Sequence, residues 1–108
     1  MLVLFDQGTP VPIAGFLQGH SVKTARQLGW ETLGNGELLR AAEEVGFDVL
    51  LTTDKNLAYQ QNLRDRKIAI VVLGRNRWRS VKMVLPQILA AVNAATPGSY
   101  IVVDVPEE

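Results

Sequence analysis

Asp6 and Asp54 each follow a short apolar run, in Phe5-Asp6-Gln7-Gly8-Thr9-Pro10 and in Val49-Leu50-Leu51-Thr52-Thr53-Asp54. A carboxylate just past a buried strand sits where open parallel sheets collect their ligands, at the carboxyl ends of the strands. If the two strands are neighbours, the oxygens converge. Converging carboxylates hold Mg²⁺ or Mn²⁺, hard cations that activate water and clamp a phosphate. The structural alternative is a helix N-cap, because an Asp between a strand and a helix accepts from orphan N–H groups. Both readings stand for Asp54 alone; the pair points to a shared site.

A second group lies in Gly34-Asn35-Gly36-Glu37-Leu38-Leu39. Asn35 is a strong N-cap residue, and Glu37 in a first helical turn suits the helix dipole. Glu37 is also a candidate third catalytic and metal-ligating carboxylate, provided that the helix start faces Asp6. Asn56, two residues past Asp54, is either a neutral site residue or a first-turn polar residue.

Charge is unevenly spread. Eleven Lys and Arg balance eleven Asp and Glu, so the net charge is zero. Yet residues 55–82 hold eight basic residues against Asp65 alone, a net +7, and the remainder holds three basic and ten acidic residues, a net −7. Within the basic stretch, Arg75-Asn76-Arg77-Trp78-Arg79-Ser80 places an aromatic among three guanidinium groups, with Lys55 nearer Asp54. Arg contacts to phosphate with base stacking on Trp grip single-stranded nucleic acid without reading its sequence. The alternative is a solvated loop with Trp78 folded back onto the core. His20, the one histidine, reads as a surface residue in a turn, and Trp30 as a packing anchor. Tyr59, Gln60, Gln61 and Asn62 read as a polar patch on a helix.

The elements that must position these groups alternate. Leu2–Phe5 reads as a buried strand ended by a Gly8-Thr9-Pro10 turn, 12–18 as a short helix, 21–25 as a weaker strand and 27–34 as loop. A helix over Asn35–Val45 shows Leu38, Leu39, Ala42 and Val45 on one face and stops at Gly46. The mainly apolar run 48–52 and the fully apolar run 68–73 read as strands covered on both faces. Residues 54–64 read as a helix, 80–95 as a long helix kinked or restarted at Pro86, and 100–105 as an edge strand. This alternation predicts one α/β domain over residues 1–108, a mostly parallel sheet of about five strands flanked by helices.

An apolar fraction of 47% with 20% charged residues is globular composition, not that of a disordered chain. With no cysteine, disulfides, zinc ribbons and a cysteine nucleophile are excluded, which fits a reducing compartment. Met1–Phe5 is too short an apolar run for a signal peptide or a membrane span, so we expect a soluble, cytoplasmic protein with no membrane partner. There is no Gly-rich phosphate loop, nucleophile elbow or His pair at metal-binding spacing.

With these residues in view, the chain resembles the small single-domain PIN-like proteins of bacteria, a family related to VapC-type toxin ribonucleases. The resemblance is carried by Leu4-Phe5-Asp6-Gln7-Gly8-Thr9-Pro10, Asn35-Gly36-Glu37-Leu38-Leu39 and Leu51-Thr52-Thr53-Asp54-Lys55-Asn56-Leu57, and continues through Tyr59–Leu63 and Ile68–Leu73. It implies a PIN-like three-layer sandwich and a metal-dependent endoribonuclease acting on single-stranded RNA. It also implies Mg²⁺ or Mn²⁺ at Asp6, Asp54 and Glu37, a cognate antitoxin and a homodimer. Asn35 stands where relatives often carry Asp, Asn56 where a further acid often follows, and Gln7 where Glu is frequent. Fewer carboxylates weaken the hold on a hard cation. The other reading is therefore the same fold with a weakened site, retained as a nucleic-acid- or protein-binding module. A phosphoacceptor receiver also places Asp at strand ends, but needs paired acids after the first strand and a Lys after the last. Gln7 follows Asp6, and residues 100–108 contain no Lys.

Overall fold

A computed structural model of the chain describes residues 1–57 and 66–107. Its centre is a five-stranded sheet, all strands parallel, in the order β2-β1-β3-β4-β5. The strands are β1 (Leu2–Phe5), β2 (Ser21–Thr24), β3 (Val49–Thr52), β4 (Ala69–Leu73) and β5 (Tyr100–Val103). Parallel neighbours need crossovers, and helices supply them: α1 (Asn35–Val45), α2 (Trp78–Val81) and α3 (Leu85–Asn93), with 3-10 turns at Val11–Phe16 and Lys82–Val84. The α/β class and the five strands agree with the expectation, and the sheet is wholly rather than mostly parallel.

Every residue of β3 and β4 is buried, because helices cover both faces at the sheet centre. Alternation along the strands sorts these residues into two cores. Val3, Phe5, Val49, Leu51, Val71 and Leu73 face Ile13, Val81, Ile88 and Val92. Leu4, Leu50, Ile70 and Val72 face Leu38, Leu39, Ala42 and Leu57. The edge strands follow the other pattern: β2 alternates exposed and half-buried residues, and β5 turns Tyr100 and Val102 outward.

Several local expectations need correction. The helix expected over 12–18 is a tighter 3-10 turn over Val11–Phe16, closed by Ile13 N–H on the Pro10 carbonyl and Leu17 N–H on that of Ala14. Pro12 and Gly15 leave too few helix-favouring residues for a full α-helix. Val45 is 56% exposed. Gly46 takes a left-handed conformation (φ +99°) that turns the chain so that Phe47 enters the core in its place. The helix expected over 80–95 starts earlier, at Trp78, and breaks before Pro86. The proline ring conflicts with the carbonyl four residues back, and Val84 leaves helical geometry (φ −122°, ψ 22°). The helix expected over 54–64, with Tyr59–Asn62, lies outside the described residues beyond Leu57. No described helix is long and apolar enough to cross a membrane.

One ion pair ties α1 to the entry of β4. Glu43 Oε1 accepts from Arg66 Nη1 at 2.6 Å, and Oε2 accepts from the Lys67 N–H at 2.7 Å. Burial pushes the Glu43 carboxyl up. The Arg66 hydrogen bond, the Lys67 N–H, the Arg66 charge and the Ile68 N–H together outweigh burial and hold it below its ordinary value. A depressed carboxyl adds stability above its unfolded pKa of about 4.3, and that stability is lost as pH falls through the folded value. Glu43→Gln is therefore less stable than wild type at pH 7. In urea unfolding across pH, the gap closes below about pH 4; a gap that is constant with pH contradicts this assignment.

Candidate functional site

The β1–β3 pairing sets Phe5 opposite Leu51, and the Asp6 N–H extends the ladder onto the Leu51 carbonyl at 2.9 Å. Asp6 therefore leaves the sheet beside Thr52, the last residue of β3. The Thr52 side chain is fully buried, and its hydroxyl donates to Asp6 Oδ2 at 2.8 Å. The Thr52 hydroxyl oxygen in turn accepts the Asp54 N–H at 3.1 Å. One hydroxyl thus links the carboxylate after β1 to the backbone of the carboxylate after β3.

Asp54 is fixed from two sides. Its Oδ1 accepts the Asn56 N–H at 2.9 Å, a local turn bond of the kind Asp favours, and its Oδ2 accepts Asn35 Nδ2 at 3.0 Å. On Asp6, Oδ1 accepts the Gln7 N–H at 2.8 Å. All four carboxylate oxygens are thus oriented by donors, and both aspartates remain half-buried at the surface. The next turn is held by Thr9, whose hydroxyl donates to the Leu51 carbonyl at 3.0 Å. Gly8 within it has φ +90°, a conformation that favours glycine, and a Cβ there would lie 3.4 Å from Thr53 Oγ1.

The sequence-derived residues fall into three groups. Asp6, Asp54 and Asn35 are brought together. Asn35 is not the N-cap expected: Gly34 holds that position without a side-chain cap bond, and Asn35, the first helical residue, spends its amide on Asp54. Glu37 is exposed in the first turn of α1, its Oε1 3.8 Å from where a Cβ on Gly34 would lie. Among the described residues no three His, Cys, Asp or Glu side chains are grouped to hold a metal ion, so Glu37 does not complete a trio with Asp6 and Asp54. Asn56 is exposed and enters the site through its backbone N–H.

The basic residues form the last group. Lys55, Arg75, Arg77 and Arg79 are exposed. Arg77 directly precedes α2, and Arg75 binds the Val105 carbonyl and Glu107. For Trp78 the folded-back arrangement is the one found: it packs on the α3-side core, its ring centroid 6.2 Å from that of Phe16. His20 is half-buried at the surface, its Nδ1 3.1 Å from the Met1 amino group and its Nε2 2.6 Å from Asn93 Oδ1. Trp30 is the packing anchor expected, edge-on to Phe47 at 6.1 Å.

Two contributors were not singled out from sequence. Thr52 has a visible signal, a hydroxyl closing an otherwise apolar strand two residues before Asp54. Arg26 has none. With Asp6, Gln7, Gly8 and Thr24 it lines a cavity of about 190 Å³ at the carboxyl ends of β1 and β2.

The chain matches no family model, no curated protein and no solved structure. The class defined by its own geometry is a doubly wound parallel α/β protein, with two oriented carboxylates at the strand ends where the winding changes direction.

Thr52→Val keeps the shape and removes the link, leaving the Asp54 N–H without its acceptor and Asp6 Oδ2 without its donor. We expect a loss of about 1–3 kcal/mol in urea unfolding, and a smaller loss for Thr52→Ser, which keeps the hydroxyl. Equal losses for the two variants rule out the hydroxyl as the connecting group.

Proposed function

We propose that the chain is a PIN-like endoribonuclease that cleaves single-stranded RNA with Mg²⁺ or Mn²⁺ at Asp6 and Asp54. One observation carries this reading: the two carboxylates leave the carboxyl ends of adjacent strands and are connected through Thr52. The donor set suits a hard dication that keeps much of its water, because Mg²⁺ is commonly held by one or two carboxylates together with substrate phosphates. When bound, such an ion polarises a phosphoryl oxygen and lowers the pKa of an attacking water.

The chain's own residues do the rest. Thr52 and the Gln7 N–H hold the Asp6 carboxylate in one orientation; Asn35 and the Asn56 N–H hold that of Asp54. Oriented acceptors need no rearrangement when the ligand arrives. Glu37, at the start of α1, is the acid available to position water. Lys55, Arg75, Arg77 and Arg79 supply phosphate contacts that track the strand without reading bases. A toxin role with a cognate antitoxin belongs to the same reading.

A second reading, a binding module with a weakened site, is favoured by one observation: among the described residues no three acids are gathered. Cleavage separates the two. Wild-type protein with Mg²⁺ or Mn²⁺ is expected to cut a labelled single-stranded RNA, and Asp6→Asn and Asp54→Asn to reduce the rate by about 100-fold or more. Equal rates for all three proteins sink the nuclease; RNA binding with no cleavage selects the module.

A further inference from the structure

The segment after β5 continues alongside the residues that follow β4 and meets Arg75 there. Arg75 Nε donates to the Val105 carbonyl at 3.3 Å, and Nη2 donates to Glu107 Oε1 at 2.7 Å. Arg75, Asn76, Arg77, Ser80 and Glu107 line an open cavity of about 460 Å³ at the carboxyl end of β4. The Val105 bond orients the guanidinium. Glu107 meets Arg75 through its carboxylate, and its side chain is 81% exposed. An exposed ion pair adds little net stability, so this occupant is displaced at small cost.

A carboxylate oxygen and a phosphate oxygen make the same charge-assisted contact with a guanidinium fork. We propose that the cavity is a phosphate seat for single-stranded RNA, and that Glu107 occupies it as an internal mimic that lowers the chain's own affinity for RNA. The ligand class rests on the ribonuclease reading; the seat and its occupant do not. Trp78, packed beside Phe16, leaves the contact to guanidinium and amide groups, so the seat takes the RNA backbone and is indifferent to base identity.

The test is fluorescence anisotropy with a short labelled oligouridylate in EDTA, where neither metal nor cleavage enters the readout. Glu107→Gln is expected to bind about threefold tighter than wild type. Arg75→Ala is expected to bind about tenfold weaker, with a salt slope shallower by about 0.7, the share of one phosphate contact on a single strand. In the Arg75→Ala background, Glu107→Gln has no further effect, because the two residues act on each other. Asp104→Asn removes an exposed carboxylate from the same segment and is expected to leave affinity near wild type. Tightening by Asp104→Asn equal to that by Glu107→Gln reduces the effect to general charge and overturns the proposal. So does unchanged affinity in either Glu107→Gln or Arg75→Ala, and so does a polyglutamate peptide that competes as well as RNA. If RNA cleavage fails while this pattern holds, the seat stands without the nuclease; if cleavage succeeds and the pattern is missing, only the seat falls.

Discussion

The register of β1 against β3 is the constraint on which the rest depends. The chain lays β2 on one side of β1 and then crosses to lay β3 on the other, so β1 becomes an interior strand with its carboxyl end open between two crossovers. Pairing Phe5 with Leu51 puts Asp6 next to the Thr52 hydroxyl. Because side chains alternate with period two, a shift by one residue would turn Thr52 to the opposite face and exchange Leu50 with Leu51 between the two cores. The same pairing therefore fixes the packing of both faces and the orientation of the carboxylates.

Charge is organised around that sheet. The basic stretch and the acidic remainder cancel in sum, and the two ion pairs among the described residues, Arg66 with Glu43 and Arg75 with Glu107, each join one to the other. The first is largely shielded from water and braces α1 against the start of β4. The second lies in solvent at the opposite end of β4. Similar partners thus do different work according to burial: the sheltered pair shifts a carboxyl and supports the fold, and the exposed pair is free to exchange.

Much of the fold was legible because apolar runs of four or five residues bounded by Gly, Asp and Pro allow few interpretations. β1, β3 and β4 fall within a residue or two of their expected limits, and α1 matches from Asn35 to Val45. Misreadings arose where tertiary demands outweighed local preference. Asn35 has the composition of a cap, but a carboxylate nineteen residues away competes for its amide. Val45 has helical periodicity, but the turn at Gly46 brings Phe47 inside instead. At the site, spacing alone identified Asp6 and Asp54 as a pair, since both are tied to strand ends. It could not place Glu37, whose direction depends on how α1 docks, nor Arg26 or Glu107, which reach their cavities from distant segments.

Most of the site residues lie at or just beyond the ends of the regular elements that hold the molecule together. Asp6 and Asp54 follow their strands, Asn35 begins its helix, and Arg75 and Glu107 sit on connecting or trailing segments; Thr52 and Ser80 are both core and site. The frame and its chemistry are consequently separable in evolution. Acids, amides and guanidinium groups can be exchanged along this rim while β3 and β4 stay as they are, so one scaffold can gain, weaken or redirect an activity without first having to refold.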